Sequence, residues 1–168
     1  MNILNNIEEL NNLELRENSF TIIDIPSMEQ LEKDKYIIQI TSKSIVENNS
    51  KISILYSNIK PKEVYSSIIN KKIKISNISK LPSNERQLQL KNIKNIIKSK
   101  LCFSYTTETT TNELIEKCQY LKNIKKVDII TISNIERIKD LNEENKQEFF
   151  KKLEKISIQL KVTIMLMI

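Results

Sequence analysis

A chain with no histidine must draw any chemistry from its charged, hydroxyl and thiol side chains. Two lysine groups stand out, Lys71, Lys72 and Lys74, then Lys91, Lys94 and Lys98. Together they could neutralise several phosphates of a nucleic acid. The second group repeats along one helical face, so a solvated surface is the alternative reading. Stacking on single strands also needs exposed aromatics, for which Tyr56, Tyr65 and Tyr120 are the candidates, since Phe103 and Phe149 read as core. Glu143, Glu144 and Glu148 fall in the first turn of an expected helix, where they complement its dipole. The polar loop Thr106–Thr111 follows an apolar run and is well placed for a pocket, although a helix cap accounts for it equally. Cys102 and Cys118 match no zinc or CxxC spacing and read as reduced and structural.

Composition narrows the chemistry further. The 168 residues suffice for one core. They include 31 Ile, 24 Lys and 19 Asn, with no Gly, Ala, His or Trp. This bias fits AT-rich coding, which discounts the lysine excess behind the net charge of +6. Without glycine there is no standard P-loop, dinucleotide fingerprint or EF-hand, because each needs positive φ or close backbone approach. Without histidine there is no Ser-His-Asp triad and no His-ligated metal. No stretch has the basic and apolar regions of a signal peptide or the length of a membrane span, so a cytoplasmic protein is expected.

The elements that would position these residues follow from apolar spacing. Ile3, Ile7 and Leu10 suggest a helical lead-in within residues 1–18, ahead of a domain over 19–168. Phe20–Asp24 is β-prone, and Pro26-Ser27 opens a helical turn through Leu31 with Ser27 as cap. Lys35–Thr41 and Lys51–Tyr56 read as strands separated by only nine residues, either a hairpin or a crossover whose helix is nearly lost. Helices are expected over 61–70, from Pro82-Ser83 through Ile97, after a Thr110/Glu113 capping box, and over 143–159 capped by Asn142. Leu101–Tyr105, Val127–Ile132 and Val162–Ile168 complete the strands. Buried strands alternating with amphipathic helices imply a mostly parallel sheet flanked by helices.

Three segments carry a resemblance: ISILYSNIKPKEVYSSIIN (52–70), CFSYTTETTTNELIEKCQYLKNIKKVDIITISNIERI (102–138) and KKLEKISIQLKVTIMLMI (151–168). In order, spacing and apolar pattern they are similar to the C-terminal ATPase domain of the bacterial replicative helicase DnaB. The resemblance covers residues 20–168. It implies an α/β, RecA-like (P-loop NTPase-like) three-layer sandwich with a shortened or missing P-loop. Carried onto this sequence, the family's Walker A region falls at Thr41-Ser-Lys-Ser44, where Lys43-Ser44 imitates the end of that motif. The family's catalytic Glu corresponds to Asn58, which cannot act as a base. Its Walker B Asp corresponds to Ser133, which lacks the charge to organise Mg²⁺. Asp128 is expected at the wrong end of its strand.

The resemblance therefore implies a pseudo-ATPase: no enzyme activity, no cofactor, no metal, and a role through protein contacts, with a helicase or another RecA-like subunit as partner in DNA replication. The alternative expectation is a basic nucleic-acid-binding module using the lysines of 71–100.

Overall fold

Strands buried on both faces need apolar residues at successive positions, and the segments 129–132 and 163–167 supply them. The computed structural model describes residues 2–4, 15, 17–104 and 108–168. Six strands, β1 (Asn2–Leu4), β2 (Phe20–Ile23), β3 (Ile52–Leu55), β4 (Leu101–Ser104), β5 (Ile129–Ile132) and β6 (Thr163–Met167), form one sheet. Their order is β1-β2-β6-β5-β3-β4, and every neighbouring pair is parallel. Alternation sends Ile164 and Leu166 into one core and Met165 and Met167 into the other.

Five helices cover the two faces. On one, α1 (Gln30–Glu47), α2 (Pro61–Ser76) and α3 (Ser83–Lys100) enclose a core containing Ile37, Ile45, Val64, Ile68, Ile93 and Ile97. On the other, α4 (Thr111–Asn123) and α5 (Lys146–Leu160) bury Leu114, Cys118, Leu121, Phe149 and Leu153. Pro61 opens α2 at the position where its missing N–H has no cost. Thr110 and Glu113 cap α4 reciprocally, as expected. In a chain without glycine, left-handed backbone falls to Asn18, Asn49, Tyr56, Asn77, Lys126 and Lys161 among the described residues.

The three-layer, parallel architecture matches the sequence expectation, but one element does not. Lys35–Thr41 is no strand; it lies inside the 18-residue helix α1. Its buried positions, Ile37, Ile40, Thr41, Ser44 and Ile45, recur every three to four residues, and burying that stripe outweighs the strand preference of its isoleucines. The crossover from β2 to β3 therefore has a full helix, and β3 pairs with β4 and β5, not in a hairpin with 35–41.

Smaller corrections follow. The cap residue of α1 is Glu29, not Ser27. Ile3 and Leu4 belong to β1, not to a helix, and the remainder of the expected lead-in, 5–14, lies outside the described residues, as do Tyr105 and Thr106-Thr107. Residues 71–76 continue α2. Asn142 and Asn145 cap a turn reciprocally, with side chain–backbone bonds of 2.9 and 3.0 Å, ahead of α5.

Candidate functional site

All strands point the same way, so their C-terminal ends share one edge, where open α/β sheets gather ligands. Two places on that edge matter: the β2–α1 turn and the crevice between β3 and β5. The crevice exists because β3 leads to α2 on one face whereas β5 leads to α5 on the other.

The β2–α1 turn is strand–loop–helix, the arrangement that in phosphate-binding loops aims backbone N–H groups at an anion. Here it consists of Asp24–Glu29, with no residue of positive φ. Ile25 is buried, and the Met28 N–H donates to its carbonyl at 2.9 Å, which draws the loop down onto the core. The Glu29 N–H donates to Glu32 Oε2 at 3.1 Å. Carboxylates thus stand at the helix N-terminus, stabilised by its dipole. Lys33, in the first turn of α1, donates from Nζ to the Ile168 backbone oxygen at 2.6 Å.

Lys43 and Ser44 are not at this edge. They lie near the C-terminus of α1, roughly 20 Å along the helix from its start at 1.5 Å per residue. Lys43 is exposed. The Ser44 carbonyl accepts from the Asn48 and Ser50 N–H groups, both at 3.1 Å, which closes the helix. The expectation that Thr41–Ser44 occupies the phosphate-loop position is thereby corrected: taking the middle of α1 for a strand moves that position one crossover too late.

The crevice does bring together Asn58 and Ser133, each just beyond the end of its strand. Ser133 donates to the Leu55 carbonyl from its N–H at 3.1 Å and from its hydroxyl at 3.3 Å. Arg137 Nη2 donates to Asn58 Oδ1 at 2.8 Å. Above them the Thr109 N–H donates to the Arg137 carbonyl and the Lys139 N–H to the Thr109 carbonyl, both at 2.9 Å. Thr110 and Thr111 serve as caps, with the Thr111 N–H on Asp140 Oδ1 at 2.7 Å. Burial is the main influence on the Tyr56 phenol beneath, and it holds that group above its usual range. Polar groups here satisfy one another, and no carboxylate faces the crevice in the positions of Asn58 and Ser133. Asp128 sits at the opposite end of β5, where Oδ2 accepts the Lys51 N–H at 2.8 Å.

The lysine groups separate. Lys71 pairs with Glu47 at 2.8 Å, and Lys72 Nζ reaches the Val46 carbonyl at 3.3 Å, tying α2 to the end of α1. Lys94 and Lys98 border a groove on the other flank of α2, beside Tyr65 and Ile69. Lys91 and Lys74 are exposed. Of the aromatic candidates, Tyr56 is buried, Tyr65 half-buried and Tyr120 exposed, with the Lys125 ammonium over its ring at 5.9 Å. Sequence reading missed how strongly charge segregates. Residues 71–100 hold nine basic residues against one acid, Glu85, leaving 18 basic and 20 acidic in the rest of the chain. A larger cleft of about 570 Å³ opens at the N-terminal edge of the sheet among Glu17, Lys122, Asp128 and Lys161, mixing both signs of charge.

Among the described residues no group of three or more Cys, Asp or Glu is placed to hold a metal, and no helix is long and apolar enough to cross a membrane. No protein-family model matches the sequence, and no curated protein does. Among solved structures, one similar to this chain is the ATPase domain of a DnaB-like helicase, with a TM-score of 0.57 and 14% identity over 90% of this chain. The chain spans 57% of that domain's length. Topology and this likeness together give the chain a RecA-like α/β fold.

Proposed function

We propose that this chain is a non-hydrolysing relative of the DnaB-type helicase ATPase domain that acts through protein contacts, with a replicative helicase or another RecA-like subunit as partner. One observation carries the reading: at the β2–α1 turn, the N-terminus of α1 receives the chain's own carboxylates, Glu29 and Glu32, in the place where a triphosphate would need backbone donors and a lysine. A phosphate arriving there meets like charge, and Lys33 is engaged by the Ile168 carbonyl. The crevice between β3 and β5 adds to this, since Asn58 and Ser133 offer neither a base for water nor an anionic ligand for Mg²⁺.

The test is titration with Mg²⁺-ATP by calorimetry, alongside a phosphate-release assay. No saturable heat at millimolar nucleotide and no release above buffer are expected. Micromolar affinity, or turnover that Lys33→Ala abolishes, overturns the reading. For the partner, the expected result is a change in a replicative helicase's ATPase rate when the chain is added; an unchanged rate counts against a helicase partner.

A further inference from the structure

The α2–α3 pair has a surface that neither core explains. Between the helices a groove of about 160 Å³ is lined by Tyr65, Ile69 and Ile97, with Lys94 and Lys98 along one side. Their methylene stems line the wall while their ammonium groups remain exposed, the usual behaviour of a long cation beside apolar surface. Lys91 continues the row one turn back, at the i−3 position from Lys94. The acid nearest in sequence, Glu63, does not compensate: it influences Asp34 of α1, so it faces the opposite flank of α2.

We propose that this groove is a docking site for an acidic amphipathic segment of a partner protein. Apolar side chains of that segment enter between Tyr65, Ile69 and Ile97, while its carboxylates meet Lys91, Lys94 and Lys98. Charge decides the sign of the partner, because 71–100 is strongly basic and the rest of the chain carries a slight acidic excess. The apolar floor decides its class. Phosphates gain nothing from isoleucine, whereas an amphipathic helix in a groove uses an apolar stripe flanked by charge. Exposed Leu88 and Ile96 on α3 extend apolar surface around the same helix, and no exposed aromatic lies on it to stack a base. This assignment shares with the proposed function only the premise that the chain works by protein contact.

Fluorescence anisotropy tests it with a labelled helix-forming peptide of Glu, Ala and Leu whose leucines form one stripe. Its controls are the same peptide with Leu replaced by Ser, and a DNA oligonucleotide as single strand and as duplex. Saturable binding of the leucine peptide is expected, weakened at least about tenfold in K94E/K98E, which is about 1.4 kcal/mol. Both lysines are exposed, so the variant keeps its fold, checked by circular dichroism. Absence of peptide binding, equal binding of the serine control, or tighter binding of DNA overturns the docking assignment. So does a concentration-dependent dimer in sedimentation that K94E/K98E dissolves, which assigns the groove to a second copy. ATP turnover in a chain that still binds the peptide removes the proposed function and leaves this site standing.

Discussion

Arg137 reaches from the loop after β5 to Asn58 in the loop after β3, its Nη2 donating to Oδ1 at 2.8 Å. This bond spans the one crevice where helices leave neighbouring strands for opposite faces. A position that would hold a water-activating carboxylate in a RecA-like motor instead holds an amide that ties two loops together.

Restoring the carboxylates is then expected to fail. In N58E/S133D, phosphate release stays at background, because the β2–α1 turn still presents Glu29 and Glu32 to the nucleotide. A phosphate-release assay with Mg²⁺-ATP checks this, and measurable turnover in the double variant would show that the turn is no obstacle.

Arg137→Ala should loosen the crevice without unfolding the domain. The bond is exposed, so the stability change is expected to stay under about 1 kcal/mol. Amide exchange in residues 134–140 should rise while that in β5 is unchanged. Equal acceleration throughout the sheet would mean that the bond holds the fold and not only the loops.

The two cysteines should differ sharply towards a thiol reagent. Cys118 lies inside the α4 core, and burial pushes its thiol up to about 12. Cys102 is half-buried on the edge strand β4. Native protein should react at Cys102 first, with Cys118 released only on unfolding; two thiols reacting together at native pH would contradict the α4 packing.

Glu113 should report acid loosening of the α4 cap. The Thr110 N–H donates to its Oε2 at 2.8 Å, and this backbone bond, the largest cause, holds the carboxyl below its usual range. A lowered folded value means that the stabilisation is fully present above the unfolded value, about 4.3, and is lost as pH falls through the folded one. Carboxyl NMR titration should therefore give a midpoint under that of a free glutamate; a midpoint at or above it would deny the cap. Leu153→Ala, by contrast, should lower stability at every pH by about 2–5 kcal/mol in urea titration, since Leu153 is fully buried between α5 and the sheet.

Much of this architecture is legible in the residues. Thr110 and Glu113 announce their own cap, Pro61 marks the first turn of α2, and the apolar run 163–167 can only be a buried strand. The segment 35–41 misleads because isoleucine supplies 31 of the 168 residues and so no longer distinguishes strand from helix. The informative signal is the wider period through Ile37, Ile40, Ser44 and Ile45, which a seven-residue window cuts short. That error displaces the phosphate-loop position to Lys43-Ser44. Secondary structure shows α1 to be one helix, and Cα chemical shifts of 35–41 in the helical range are the expected confirmation in solution. Asn58 and Ser133 are locatable because each follows a short apolar run that ends at the correct edge. The Arg137–Asn58 bond is not, since it joins residues 79 apart in sequence.

The placement of β6 sets the order in which the molecule can assemble. It lies between β2 and β5, although it comes after both in the chain. Until residues 163–167 are available, the β1–β2 ribbon and the β5–β3–β4 ribbon have no hydrogen-bonded link between them, and each presents a bare strand edge. Emergence of this last strand is the zipper pull that turns two separate ribbons into one sheet, so a nascent chain stalled before it should be open to proteolysis on both sides of α1.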